Sequence, residues 1–179
     1  MYVIAIEPED RFKKLIEHHK DEVKLKAGEQ IYRTHPPHVT IFALSTDKKD
    51  ELFNIISDLS KETEKLTVTN KSLNVFYDDK QTNAHTIFYE FTDEQSLREL
   101  QNKLINALKL INKTNNNFPY QDGKWLPHLT IASVEREKFD EVYKKLKGIE
   151  IHGDFMFDTI AIYSYVYPHQ PIVMKRFQL

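Results

Sequence analysis

The chain lacks several features that would assign it to a compartment or partner class. It has no cysteine among 179 residues, which excludes disulfides, thiol nucleophiles and cysteine metal ligands. It also lacks a run near the roughly 18 apolar residues of a membrane span, and Glu7 places a charge too early for a signal peptide. With 25 basic and 27 acidic residues it has no charge surplus that would favour an extended nucleic-acid surface. The sequence therefore predicts a reduced, soluble, cytoplasmic protein with no membrane partner.

Apolar periodicity predicts strands that alternate with helices, within one domain of ordinary size. The predicted strands are 2–6, 38–44, 66–77 with a bulge or break, 85–91, 126–134, a pair within 149–167 that turns near Asp154 or Asp158, and 172–177. The predicted helices are 8–25, with Pro8 at the first helical position, then 52–59, 93–111 and 139–146. This alternation is typical of an α+β or α/β-like fold and excludes a helical bundle or a β-sandwich.

A short polar–apolar motif occurs twice in equivalent surroundings. PPHVTIF at 36–42 and LPHLTIA at 126–132 both contain Pro-His-apolar-Thr-Ile, 90 residues apart. The acidic pairs at 50–51 and 140–141, each followed by a helix, lie at the same distance after the two histidines. We therefore predict a single bilobal domain built by an internal duplication, about 1–80 and 85–179. Two pseudo-symmetric lobes would each have an antiparallel or mixed sheet with helices outside.

The strand pleat places each motif histidine and threonine on one face. Side chains at i and i+2 share a face, so His38 lies with Thr40 and His128 with Thr130. If the intervening apolar residues face the core, both polar pairs face a central groove. Two histidines can serve as acid and base near neutral pH, and threonine hydroxyls can donate to phosphate oxygens. This chemistry fits a phosphodiester and requires no metal or other cofactor. Because the motifs are nearly symmetric, the sequence does not say which histidine is the base.

These paired His-apolar-Thr-apolar motifs resemble those of the two-histidine (2H) phosphoesterases, which include RNA 2′,5′-ligases and cyclic nucleotide phosphodiesterases. The resemblance covers nearly the whole chain, including the closing segment FDTIAIYSYVYPHQPIVMKRFQL. It implies that His38 and His128 are catalytic and that Thr40 and Thr130 bind phosphate. It further implies hydrolysis of 2′,3′-cyclic phosphate, 2′,5′-linked RNA ends or a small cyclic nucleotide-like ester, with ligation as the possible reverse. The region near both motifs is poor in arginine, which favours a small nucleotide or RNA-end substrate. The alternative is a non-catalytic module that binds nucleotides or RNA ends.

Other polar and aromatic residues are weaker predictions for the same groove. Five are named as substrate-binding residues, each with packing or a solvated surface as the alternative: Arg33, Tyr120, Trp125, Tyr165 and Tyr167. No metal site is expected, because the adjacent His18 and His19 point about 100° apart on a helix. His35 is left outside the site, because its counterpart at position 125 is tryptophan. The oligomeric state has no sequence signal.

Overall fold

A computed structural model describes residues 1–29, 34–80, 82–92, 95–113, 125–165 and 171–179. Its elements follow in chain order: β1 Tyr2–Pro8, α1 Asp10–Ala27, β2 Val39–Leu44, α2 Lys49–Lys61, β3 Leu66–Asp79, β4 Ala84–Phe91, α3 Gln95–Leu108, β5 His128–Val134, α4 Arg136–Lys147, β6 Gly153–Ser164 and β7 Ile172–Gln178. The α+β class and the positions of most elements agree with the sequence predictions. Pro8 is an exception, since it ends β1 and helix α1 begins two residues later.

The strands form one antiparallel sheet in the order β1-β2-β5-β4-β3-β6-β7, with a further pairing of β1 with β6. That pairing closes the first six strands into a ring of neighbours, which we divide into two parts. We call β2, β1, β6 and β7 half-sheet A, and β5, β4 and β3 half-sheet B. The half-sheets meet where β2 pairs with β5 and where β3 pairs with β6. Of the two sheet types left open by the sequence, the antiparallel one is found.

The half-sheets share a β-bulge at equivalent positions. In half-sheet A, Ile4 pairs with Phe42 and Ala5 with Thr40, so Ile41 is the extra residue. In half-sheet B, Ile87 pairs with Ala132 and Phe88 with Thr130, so the extra residue is Ile131, 90 positions after Ile41. Bulges increase the local twist and re-aim neighbouring side chains, and here each one adjoins a motif threonine. The matching irregularity supports the predicted duplication, which stays a prediction.

Each predicted repeat contributes its third strand to the other half-sheet. Strand β3 of the first repeat pairs with β4, and β6 of the second repeat pairs with β1. The predicted pair of strands within 149–167 is wrong, because β6 runs unbroken from Gly153 to Ser164. The apparent turn near Asp154 or Asp158 is instead a change of neighbours. Residues 153–157 pair with β3, whereas 157–164 pair with β1.

The helices pack on the sheet and bury its apolar residues. Helix α1 lies against α4 and β5, whereas α3 lies against β2. The core cluster unites both half-sheets, and its fully buried members include Ile6, Val39, Leu129 and Ile160. Burial of such side chains contributes about 1.5–3 kcal/mol each, which fixes the orientation of the alternating polar residues on the same strands. Within the described ranges, no helix has the length and apolar character needed to cross a membrane.

Candidate functional site

One cavity brings both sequence motifs together. It has a volume of about 190 Å³, and His38, Thr40, His128 and Thr130 all line it. Each of these side chains is half-buried, whereas Val39 and Leu129 between them are completely buried. The alternation is the one expected for a strand with one face on the core and one face on a groove. The structure thus places the four predicted site residues around a common space.

The two motif strands are neighbours in the sheet. Val39 and Leu129 are antiparallel Cα partners and form the pairing between β2 and β5. Continuation of that register would place His38 beside Thr130 and Thr40 beside His128. In that register each histidine would lie across from the threonine of the other motif. This arrangement can hold one phosphate group between two imidazole rings and two hydroxyl groups.

Both histidine rings are held in the same way. Nδ1 of His38 is 2.7 Å from the Pro36 carbonyl oxygen, and Nδ1 of His128 is 2.8 Å from the Leu126 carbonyl oxygen. Because a carbonyl oxygen only accepts, Nδ1 must carry the proton in each ring. Nε2 is then the nitrogen that can accept a proton when the ring is neutral and donate one when it is charged. A proline precedes each histidine and restricts the backbone on which these bonds depend.

Aromatic rings pack against each histidine, but the two environments differ. His38 lies 5.3 Å from the Tyr163 ring, measured between centroids. His128 meets the rings of Phe76 and Phe88 edge-on at 5.1 and 5.2 Å. Tyr163 also lines the cavity, and no sequence signal distinguishes it from the other tyrosines that alternate along this segment. The aromatic contacts restrict how far either imidazole ring can rotate.

A buried carboxylate anchors Tyr163. The Tyr163 hydroxyl donates a hydrogen bond to Glu7, which is 1% exposed. Arg176 Nε donates to both carboxylate oxygens at 3.0 Å, and Lys13 Nζ lies 3.1 Å from one of them. Burial acts to raise the pKa of Glu7, but the hydrogen bonds from Arg176, Tyr163 and Lys13 outweigh it and the net pKa is lowered. Glu7 is therefore ionised in the folded protein and stabilises this side of the cavity.

The two motif histidines have lowered pKa values. Burial is the largest cause and brings the pKa of His38 to about 4, with further lowering by Lys20 and His128. Burial also lowers the pKa of His128, while the Asp79 carboxylate acts to raise it. Both rings are therefore neutral near pH 7 in the free protein. A bound phosphate would raise both pKa values through its negative charge.

Two further cavity residues, besides Tyr163, were not predicted as part of the site. His35 is buried and lines the cavity, although the sequence analysis left it outside the site, and burial lowers its pKa to about 4. Lys20, on α1, is also buried and donates a hydrogen bond to the His35 carbonyl. No sequence signal identifies Lys20, since a lysine on an amphipathic helix is ordinarily exposed. Its burial depends on packing α1 near the segment that precedes β2.

The other predicted substrate-binding residues have different outcomes. Tyr165 lines the cavity, and its ring approaches His35 edge-on at 6.3 Å. Trp125 is 4% exposed and belongs to the core, where the Arg98 guanidinium lies 5.9 Å from its ring. Its burial supports the packing alternative. The remaining three, Arg33, Tyr120 and Tyr167, lie outside the described residues. In the described part of the chain, no three His, Asp or Glu side chains are grouped as metal ligands.

Comparisons with known proteins agree with this architecture. LigT from E. coli, in complex with 3′-AMP, has a similar structure with a TM-score of 0.59 and 15% identity, over 99% of this chain and 97% of LigT. TT0787 from Thermus thermophilus has a TM-score of 0.68 and 15% identity, over 99% of this chain and 97% of TT0787. Usb1 from Kluyveromyces marxianus has a TM-score of 0.53 and 9% identity, over 97% of this chain and 96% of Usb1.

Sequence comparison assigns the family. A search of curated proteins finds no match. The family model described as the 2′-5′ RNA ligase superfamily, in contrast, matches residues 8–167, most of the chain and both histidine motifs. Membership suggests phosphodiesterase activity. This match, with which the motifs and the antiparallel α+β fold agree, shows that the chain belongs to the 2′-5′ RNA ligase superfamily of 2H phosphoesterases.

Proposed function

We propose that this protein is a metal-independent phosphodiesterase that uses His38 and His128 as an acid–base pair. The supporting observation is their matched geometry: both rings line one cavity, and each is held through Nδ1 by the carbonyl two residues earlier. One Nε2 accepts a proton from water as its oxygen attacks phosphorus. The other Nε2 donates a proton to the departing ribose oxygen, so the two proton transfers are divided between opposite sides of the phosphate.

The threonines bind the phosphate in this proposal. The hydroxyls of Thr40 and Thr130 donate to its non-bridging oxygens, where negative charge develops as the attacking oxygen adds. Hydroxyls and imidazolium can supply the charge stabilisation that a metal gives in other phosphodiesterases. The proposed substrates are 2′,3′-cyclic phosphate ends, 2′,5′-linked RNA ends or a small cyclic nucleotide-like ester, with 2′,5′-ligation as the reverse of cleavage of the 2′,5′ linkage.

The cavity size favours a small ligand or a chain end. About 190 Å³ can enclose a phosphate and part of a nucleoside but leaves the rest of a polymer outside. Structures of the similar LigT carry the nucleotides 3′-AMP, NADP+ and ATP. A nucleotide or RNA-end partner for this chain agrees with those complexes.

The test is hydrolysis of an oligonucleotide that ends in 2′,3′-cyclic phosphate, with and without a chelator. His38→Ala and His128→Ala should each lower kcat by about 10²- to 10⁴-fold, because each removes one proton transfer. The matched control is His152→Ala, which removes an exposed histidine. Thr40→Val and Thr130→Val should lower kcat by about 10²-fold, with the exposed strand residue Thr67→Val as control.

Three outcomes would contradict the proposal. Loss of turnover on chelation would show that a metal is required. Full activity of either histidine variant would remove that ring from the mechanism. Tight binding without turnover of cyclic and 2′,5′-linked substrates would instead identify a non-catalytic module for nucleotides or RNA ends.

A further inference from the structure

Lys20 is a charged side chain buried in the wall of the cavity. It is 2% exposed and lines the same space as both motif histidines. Its ammonium donates to the His35 carbonyl and lies 3.6 Å from the Glu17 carboxylate, at the surface of the same helix. An ammonium group is costly to bury, even with such partners. Lys20 therefore places a fixed positive charge beside the segment that leads into His38.

The other side of the cavity has a different charge environment. Among the described residues that line the cavity, Lys20 is the one lysine or arginine side chain. His128 packs against Phe76 on β3, and the nearby charge that acts on it is the carboxylate of Asp79 at the end of that strand. The backbone is arranged alike around the two motifs, but the charges differ. Lys20 acts on His38 together with Glu7, a carboxylate already bonded to Arg176 and Lys13, whereas the Asp79 carboxylate acts on His128. This difference is absent from the motif sequences.

We propose that Lys20 is a positioning residue that makes the two histidines unequal, so that His38 is the base and His128 the acid in hydrolysis. The inference rests on the proposed function. A neighbouring cation disfavours a second positive charge, whereas a neighbouring anion favours one. His38 accordingly starts the reaction neutral, and His128 is the ring that carries the extra proton once a phosphodiester is bound.

The reaction balances with these roles. His38 Nε2 accepts a proton from water while the water oxygen bonds to phosphorus. The bond from phosphorus to one ribose oxygen breaks, and His128 Nε2 gives that oxygen its proton. The product is a phosphomonoester with a free ribose hydroxyl, and proton exchange with solvent restores both rings. The reverse of this step, closure of the cyclic phosphate with loss of water, exchanges the two roles.

The groups that face His38 support this assignment. Lys20 on α1 and His128 on β5 both lower the pKa of His38, while Glu7 on β1 acts to raise it. Glu7 is already bonded to Arg176 and Tyr163, and Tyr163 on β6 packs on His38 as a neutral phenol. His35, in the segment before β2, is itself neutral near pH 7, because burial lowers its pKa to about 4, with further lowering by His38 and Lys20. Lys20 is thus the permanent cation among the groups that act on His38.

The first experiment measures the histidine titrations directly. NMR of ¹⁵N-labelled imidazoles, assigned with single histidine variants, gives the midpoints of His38 and His128 without substrate. Lys20→Gln removes the charge but retains a donor for the His35 carbonyl, and Lys20→Met is a second neutral variant if Gln disturbs the fold. Either variant should raise the titration midpoint of His38 by about one pH unit and shift the midpoint of His128 less, because the charge of Lys20 acts locally.

Two matched variants control for helix and charge. Lys24→Met removes the same charge one turn later on α1, where the side chain is half exposed, and should leave the His38 midpoint in place. Lys20→Arg retains the charge and should restore the wild-type midpoint. An unmoved His38 midpoint in a folded neutral Lys20 variant would overturn the role of Lys20. Equal shifts of His38 and His128 would do the same.

The second experiment separates the base from the acid. A nucleoside p-nitrophenyl phosphodiester has a leaving group that departs without protonation, unlike the ribose oxygen of a 2′,3′-cyclic phosphate. His128→Ala should cost about 10²- to 10⁴-fold on the cyclic ester and at least tenfold less on the nitrophenyl ester. His38→Ala should cost about the same on both. The reverse pattern would overturn the assignment.

These two experiments also separate this inference from the proposed function. The NMR titration needs no turnover, so an inactive protein would contradict the proposed function and still show whether Lys20 controls His38. An active enzyme with an unmoved His38 midpoint in Lys20→Gln would support the proposed function and refute the role of Lys20.

Discussion

The buried hydrogen bond between Tyr163 and Glu7 should contribute measurably to stability. Tyr163→Phe removes the hydroxyl while the ring remains, and both partners are about 1% exposed. A hydrogen bond to a charged group is worth about 1.5–3 kcal/mol. Arg176 and Lys13 still donate to the carboxylate in the variant, so the carboxylate is not left without partners. We therefore expect the free energy of unfolding to fall by about 2 kcal/mol.

Urea unfolding at pH 7, followed by circular dichroism, measures this loss. For a chain of this size the same change should lower Tm by about 4–8 °C. Tyr77→Phe is the matched control, because Tyr77 is largely exposed and its change should stay within about 0.5 kcal/mol. A double-mutant cycle with Glu7→Gln should give a coupling energy of about 1–2 kcal/mol. Zero coupling, or an unchanged Tyr163→Phe, would refute the stabilising role of this bond.

The same carboxylate makes stability depend on acid pH. The pKa of Glu7 is lowered below its ordinary value of 4.5 by folding, so its contribution is complete above that value. The contribution is lost as the pH falls below 4.5 through the folded-state pKa. Wild-type protein should lose more stability than Glu7→Gln between pH 5 and 3, measured by urea midpoints. Parallel pH curves for the two proteins would contradict an ionised buried Glu7.

Two further predictions concern the pH profile and strand β6. The pH profile of kcat/KM should be bell-shaped with its maximum below pH 6.5, because the pKa values of His38 and His128 are both lowered in the free protein. A flat profile of kcat/KM from pH 4 to 8 would contradict this prediction. Gly153→Ala should destabilise the fold by about 1–2 kcal/mol in urea unfolding, because Gly153 has a φ of +99°, which a residue with a Cβ adopts only with strain. An added Cβ would have no atom within 4 Å, so backbone strain and not a steric clash is the expected cause. Stability equal to wild type would show that this backbone relaxes without cost.

The strand and helix positions were largely readable because local patterns determine them. Helix α4 illustrates this, since the apolar spacing of Phe139, Val142 and Leu146 predicted it and Gly148 ends it. For β6 the local pattern predicts a pair of strands, which is wrong, because the partner of β6 changes midway and a change of partner leaves no signal in local periodicity.

The four motif residues were identifiable because a strand pleat fixes which side chains share a face. The sequence alone determined that His38 lies with Thr40 and His128 with Thr130, and the repeat showed that the pattern occurs twice. It also determined the family, through the resemblance that the match over residues 8–167 confirms.

Only the tertiary structure decided what surrounds these motifs. The exchanged strands β3 and β6 and the bulges beside each threonine depend on pairing between distant segments. Lys20 and Glu7 look like surface charges in the sequence and are buried by contacts more than ten residues away. The near-symmetry of the motifs is a property of the sequence, whereas the unequal charge around them arises from packing, because electrostatic interactions depend on distance in space rather than separation along the chain.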